Sequence, residues 1–227
     1  MIFSNEFKKN IIVVSGITRA GKSALCPLIS SFDKCEMFFT SPLAENIIYL
    51  LALKKISPEY AKFLIHLILN EQTYNLIIGR NINLRVSDYT SIKKHRLFKT
   101  YIKRSREKSL EQTYETKKFN SLKFPIMFHD AMLQGKFLLK NFSGLKIIDL
   151  VRHPVDLIYS WYQKGYYGKI FHNKKNVLLT YKYKNKLIPF YAFFSKKKFM
   201  KINNNYEKII LMIDDLLKIN KKQYNLL

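Results

Sequence analysis

The feature that most limits how this chain can fold is an apolar run that feeds directly into a glycine-bounded turn. Ile11-Ile12-Val13-Val14 is continuous and β-branched, the pattern of a strand buried on both faces. It leads into Ser15-Gly16-Ile17-Thr18-Arg19-Ala20-Gly21-Lys22-Ser23-Ala24-Leu25, where Gly16-x-x-x-x-Gly21-Lys22-Ser23 has the spacing of a phosphate loop. Glycines let the backbone curl so that several N–H groups converge on one anion. Lys22 supplies a mobile cation and Ser23 a hydroxyl donor. A helix from about Gly21 to Ser31 adds its positive end, with Pro27 near its start. A loop of this kind needs a strand before it and a helix after it. It commits the chain to an α/β fold: three layers around a phosphate loop, with a central parallel sheet and helices on both faces.

The rest of the chain continues the alternation. Residues 43–53 and 59–72 read as helices, the second opened by Ser57-Pro58-Glu59. Phe124–Phe128 reads as a short strand ending at His129-Asp130, followed by a helix over 131–141. Lys146–Val151 is another strand, and a helix runs from Pro154 to about Lys164. Residues 174–198 are rich in lysine and aromatics. Ile209–Ile213 reads as a late strand, followed by Asp214-Asp215 and a short helix. The segment 92–123 is dominated by Lys, Arg, Glu, Ser and Thr and is expected to be an exposed helix and loop inserted into a single domain spanning 1–227.

Lys and Arg exceed Asp and Glu by 40 − 16 = 24. Such a balance fits an anionic partner, whether nucleic acid, membrane surface or charged ligand. The joint abundance of Lys, Asn, Ile and Tyr fits an AT-rich coding bias equally well. The two cysteines, Cys26 and Cys35, form no Cys-x-x-Cys pair, which argues against a disulfide framework or a thiolate zinc site. The start of the chain lacks the apolar core of a signal peptide, and IIYLLAL and FLIHLIL are too short to span a bilayer. The expected location is cytoplasmic, with the inner membrane surface as an alternative.

A second constellation lies in IIDLVRHPVDLIYSWY, where Arg152-x-Pro154-x-Asp156-x-x-x-Ser160 follows a strand. The strand delivers Arg152 to the carboxyl end of the sheet, where open α/β folds bind ligands. Ser160 lies one helical turn beyond Asp156. Arg152 and Ser160 can bind a second phosphate as a charged fork with a neutral donor; alternatively Arg152 pairs with a structural acid.

Taken together, the two motifs resemble the sulfotransferases that use 3′-phosphoadenosine 5′-phosphosulfate as donor. In that family a 5′-phosphosulfate loop follows the first strand, matched here by Arg19-Ala20-Gly21-Lys22-Ser23. Its 3′-phosphate motif is matched by Arg152 through Ser160. The resemblance covers roughly residues 11–41 and 124–164. It implies transfer of a sulfuryl group to a hydroxyl or amine acceptor, a glycan or lipid-linked sugar among the options. It also implies that Gly16, Thr18, Arg19, Ala20, Gly21, Lys22, Ser23, Ala24, Arg152 and Ser160 hold the donor. Lys22 stands where many members have Thr. Members usually continue into a Gly-rich basic segment over the 3′-phosphate; with no counterpart after Leu217, the segment is expected to be missing, supplied by Lys196–Lys198 or Lys182–Lys186, or lost by truncation at the C-terminus.

Sulfuryl transfer needs a base. His129, at a strand end and 23 residues before Arg152, is the first choice, with Lys22 and Arg19 stabilising charge on the leaving phosphate. Asp130 orients the ring or serves as the base itself. His66 is expected in the core, His153 in a turn, and His95 and His172 in solvent. No His, Cys or carboxylate cluster has metal-ligand spacing, so no metal site is expected. Two rival readings remain. A kinase or NTPase would hold Mg²⁺ with Ser23 and an acid such as Asp214 or Asp215. A nucleic-acid-binding protein would use the aromatics set among lysines in YKYKNKLIPFYAFFSKKK.

Overall fold

The computed structural model of the chain describes residues 10–107, 121–167 and 180–227. β1(Asn10–Gly16) and α1(Lys22–Ser30) flank the glycine-bounded loop. β2(Phe39–Thr40), α2(Pro42–Ala52) and α3(Pro58–Ile77) follow, then a 3₁₀ turn at Ile92–Lys94 and α4(Phe98–Arg106). β3(Lys123–Met127) leads through a 3₁₀ turn at Ala131–Gln134 into α5(Gly135–Asn141). β4(Lys146–Leu150) precedes α6(Pro154–Lys164). β5(Thr180–Tyr183), β6(Lys186–Pro189), a 3₁₀ turn at Phe190–Ala192, α7(Lys196–Phe199) and α8(Asn205–Tyr224) complete the chain.

The fold is α/β, with a four-stranded parallel sheet in the order β2-β3-β1-β4. Side chains alternate across it as the pleat requires. Ile11 and Val13 of β1 and Phe124, Ile126 and Phe128 at β3 pack against α2, α3 and α5 on one face. Val14 and Met127 pack with Cys26 and Ile29 of α1 and Tyr101 of α4 on the other. The chain leaves β1 toward β2, returns to β3, then crosses β1 to reach β4. The connections from the carboxyl ends of β1 and β3 therefore depart in opposite directions. That divergence is the switch point at which open sheets leave a crevice.

Two expectations of secondary structure need correction, and one unassigned stretch gains a structure. Ile209–Ile213 is no strand but the middle of α8, started by Asn204, whose side chain accepts from the N–H groups of Tyr206 and Glu207. A five-residue apolar run fits either period, and the cap decides it. Pro27 sits in the second turn of α1 rather than at its start. The lysine- and aromatic-rich stretch holds the antiparallel hairpin β5–β6, with 174–179 outside the described residues.

The segment at 92–123 is not simply a solvated insertion. Its residues 108–120 lie outside those described. In the remainder, Ile92 and Tyr101 are buried in the core. Tyr101 donates to Glu36 Oε2 at 2.5 Å, and Arg104 grips both oxygens of Glu36, at 2.8 and 3.0 Å. Glu36 is 1% exposed. His95, expected in solvent, is half-buried with Nε2 against Ser30 O at 3.0 Å. His66 is half-buried rather than fully in the core, and burial beside Lys62 holds its imidazolium back. Among the described residues no helix is long and apolar enough to cross a membrane.

Removing one partner of a buried ion pair strands the other charge. Arg104→Ala is expected to cost about 3–5 kcal/mol of stability in urea unfolding. A loss under about 1 kcal/mol, the range of an exposed pair, would show that Glu36 does not depend on α4.

Candidate functional site

The crevice at the switch point is built on the backbone of residues 16–24. Gly16 has φ +141°, and a Cβ there would lie 2.5 Å from Leu150 O, so β4 passes too closely for any side chain. Gly21 caps α1 with φ +110° and offers no side-chain acceptor to the first turn. The first N–H groups of the helix are thus left for an acceptor from outside. Arg19 is also left-handed, at φ 75°.

Lys22 and donors from three other parts of the fold take the loop's carbonyls. Lys22 Nζ, 3% exposed, donates to Gly16 O at 2.6 Å and Ile17 O at 3.1 Å. Asp130 N donates to Gly16 O at 3.3 Å. Trp161 Nε1 donates to Thr18 O at 2.7 Å. The side chain of Thr18 meets Tyr191 OH at 2.9 Å. Arg152 Nη1 donates to Arg19 O at 3.0 Å.

The two sequence motifs meet here in both directions. Arg152 holds the backbone of Arg19, and Arg19 Nε donates to Ser160 Oγ at 3.0 Å. Asp156 is only a loose partner for Arg152, at 3.9 Å and 59% exposed, so a structural ion pair explains little of the arginine's placement. Gly21, Ser23 and Ala24 are exposed on the rim, Ala20 half-buried, and Thr18 fully packed. His153, at the N-cap of α6, caps nothing with its side chain. His172 lies outside the described residues.

His129 stands at the end of β3, one-third exposed. Its ring is oriented by Glu45, not by Asp130 as expected: Nδ1 lies 3.0 Å from Glu45 Oε1, which also accepts from the His129 N–H at 3.0 Å. Sequence reasoning missed Glu45. An acid in a first helical turn signals only a favourable dipole position.

Asp130 follows with φ 54°, 1% exposed, and neither carboxylate oxygen has a hydrogen-bond partner among the described residues. Burial pushes its carboxyl up to about 6, opposed by Lys22 and then His129. Burial likewise holds Lys22 below its usual value, opposed by Asp130, Glu45 and Asp149.

Asp214 and Asp215, the expected magnesium acids of an NTPase, lie in α8. Asp214 binds Lys218 at 2.5 Å and Asp215 accepts from Ser195 at 2.9 Å. No group of three or more metal-ligating side chains gathers among the described residues. No protein-family model, curated protein or solved structure matches the chain.

Asp130 gives a prediction with a definite sign. Its carboxyl releases a proton near 3.8 when unfolded and near 6 when folded. Stability from that bound proton is complete below about pH 4 and is lost as pH rises through 6. Asp130→Asn abolishes this loss. The stability of the variant relative to the native chain is expected to rise by about 2–3 kcal/mol between pH 4 and pH 7, read by urea unfolding. A difference independent of pH would show that the carboxyl is not desolvated.

Proposed function

We propose that this chain is a sulfotransferase taking its sulfuryl group from 3′-phosphoadenosine 5′-phosphosulfate. The observation that carries the reading is the double link between motifs: Arg152 to Arg19 O, and Arg19 to Ser160. Two anion-binding elements separated by more than a hundred residues come to one rim, the arrangement a doubly anionic nucleotide requires. A nucleoside triphosphate has its charge at one end and gives Arg152 and Ser160 no such task.

In this reading the phosphosulfate lies along the first turn of α1. Its oxygens draw Lys22 away from Gly16 O and Ile17 O, and Arg19 away from Ser160. Arg152 and Ser160 then hold the 3′-phosphate. His129 takes the proton of the acceptor hydroxyl or amine as its oxygen or nitrogen forms the new bond to sulfur. The bond from sulfur to the bridging oxygen breaks, and Lys22 and Arg19 neutralise the charge left on the phosphate. The proton passes from His129 to solvent. Basic side chains suffice for this charge, so the donor half of the reading calls for no metal.

A second reading is favoured by one observation. Asp130 lies at the end of the strand beside β1, with both oxygens unpartnered among the described residues, where an ATP-dependent enzyme keeps the acid that serves Mg²⁺ together with the loop hydroxyl, here Ser23.

Binding separates the two. Adenosine 3′,5′-bisphosphate is expected to bind in EDTA, and Arg152→Ala to weaken it about 10- to 100-fold, the range for one lost charged hydrogen bond. Isothermal titration reads both. Tighter binding of Mg·ATP than of the bisphosphate, or unchanged affinity in Arg152→Ala, would overturn the sulfotransferase reading.

A further inference from the structure

The end of β3 is held by α2 in a way that neither motif requires. The pairing Phe39↔Ile126 and Thr40↔Met127 sets the two carboxyl ends side by side. The chain leaving β2 starts α2 at once, with Ser41 Oγ accepting from Ala44 N at 3.3 Å and Pro42 in the first turn. Glu45 and Tyr49, one turn apart, then face His129 together. Glu45 Oε1 takes both the backbone N–H and Nδ1, each at 3.0 Å, and Tyr49 OH donates to the carbonyl at 3.3 Å. Residue 129 is gripped at amide, ring and carbonyl by one helix face.

That grip fixes the tautomer. An oxygen that already accepts from a backbone N–H offers the ring only a further lone pair, so Nδ1 must carry the proton. The lone pair then lies on Nε2, which makes no hydrogen bond among the described residues, on a side chain one-third exposed. Asp130 lies next to it in sequence, and the Asp130 carboxyl is in turn influenced by Lys22 and Glu45.

We propose that Glu45 is a positioning residue: it holds His129 in the Nδ1–H tautomer, so that Nε2 is the atom that receives the acceptor's proton, and it stabilises the imidazolium once formed. No proton passes to Glu45, and the new N–H bond is at Nε2 alone. The proton-accepting role rests on the sulfotransferase reading. The tautomer does not, which allows the two to fail separately.

The test uses the full chain labelled with ¹⁵N-histidine, and His129→Ala to assign the ring. Long-range ¹H–¹⁵N correlation is expected to show a protonated Nδ1 and a bare Nε2 in the native protein. Glu45→Ala should lose that preference, and Glu45→Gln, which keeps an accepting oxygen, should retain it. A native ring protonated on Nε2, or one unchanged in Glu45→Ala, overturns the proposal. The second arm follows conversion of 3′-phosphoadenosine 5′-phosphosulfate to the bisphosphate with water as acceptor. Glu45→Ala is expected to slow turnover about 10²-fold or more at unchanged bisphosphate affinity, with partial rescue in Glu45→Gln. Equal turnover in the native protein and Glu45→Ala overturns it. So does activity that survives His129→Ala but not Glu45→Gln, since Glu45 would then be the base. Native protein that binds no bisphosphate sinks the sulfotransferase reading and with it the proton-accepting role, leaving the tautomer to be decided by the spectra.

Discussion

Every carbonyl from Gly16 to Arg19 is turned toward the protein and taken. Lys22, Ala20, Trp161, Arg152 and the amide of Asp130 supply the donors. The rest of the site depends on this one constraint. Successive peptide groups with their carbonyls facing inward leave amide groups for the other side, and a cluster of amides at a helix start is an anion site. Gly16 makes it sterically possible, because β4 runs within 2.5 Å of where its Cβ would be. Thr18 is locked on both sides, by Trp161 at its carbonyl and Tyr191 at its hydroxyl. Those two rings are 4.9 Å apart in the core formed by α6, α8 and the turn after β6. Bracing of this kind fixes the direction of the loop's peptide groups.

Charge in the crevice is balanced rather than simply positive. The chain carries a formal +24, yet Lys22, the buried cation of the loop, feels the opposing charges of Asp130, Glu45 and Asp149. Burial penalises the ammonium, and the acids offset that penalty. Its ammonium is held by two carbonyls of the loop itself, Gly16 O and Ile17 O. Arg19 and Arg152 differ, being exposed at the rim, where they can reach an anion without leaving a buried partner unpaired. The overall basic surface therefore says little about this site.

Some of this architecture was readable in the residues. β1, the loop and α1 are contiguous, and a continuous β-branched run ending in a glycine-bounded turn marks them plainly. Arg152 to Ser160 is likewise a local strand-to-helix unit. The apolar stretch Ile209–Ile213 was not readable, because five apolar residues suit a buried strand as well as a helix; the decisive signal, Asn204, lies outside the run. Tyr101 was hidden in a segment dominated by lysines and arginines, although Phe98, Tyr101 and Ile102 stand at i, i+3 and i+4 on its helix. Its burial follows from Glu36, 65 residues away.

The sequence by itself determined that a strand, a glycine-bounded loop and a helix come in that order, and that an Arg-x-Pro unit follows a later strand. Those are rules of backbone sterics and local hydrogen bonding, expressed within a dozen residues. Only the tertiary structure decided that Arg152 and Ser160 meet Arg19, that Glu45 rather than Asp130 turns the ring of His129, and that Asp130 is sealed beneath the loop. Each of those contacts crosses from one strand end to another, and which strand ends are neighbours is set by how the whole sheet packs, not by any segment of it.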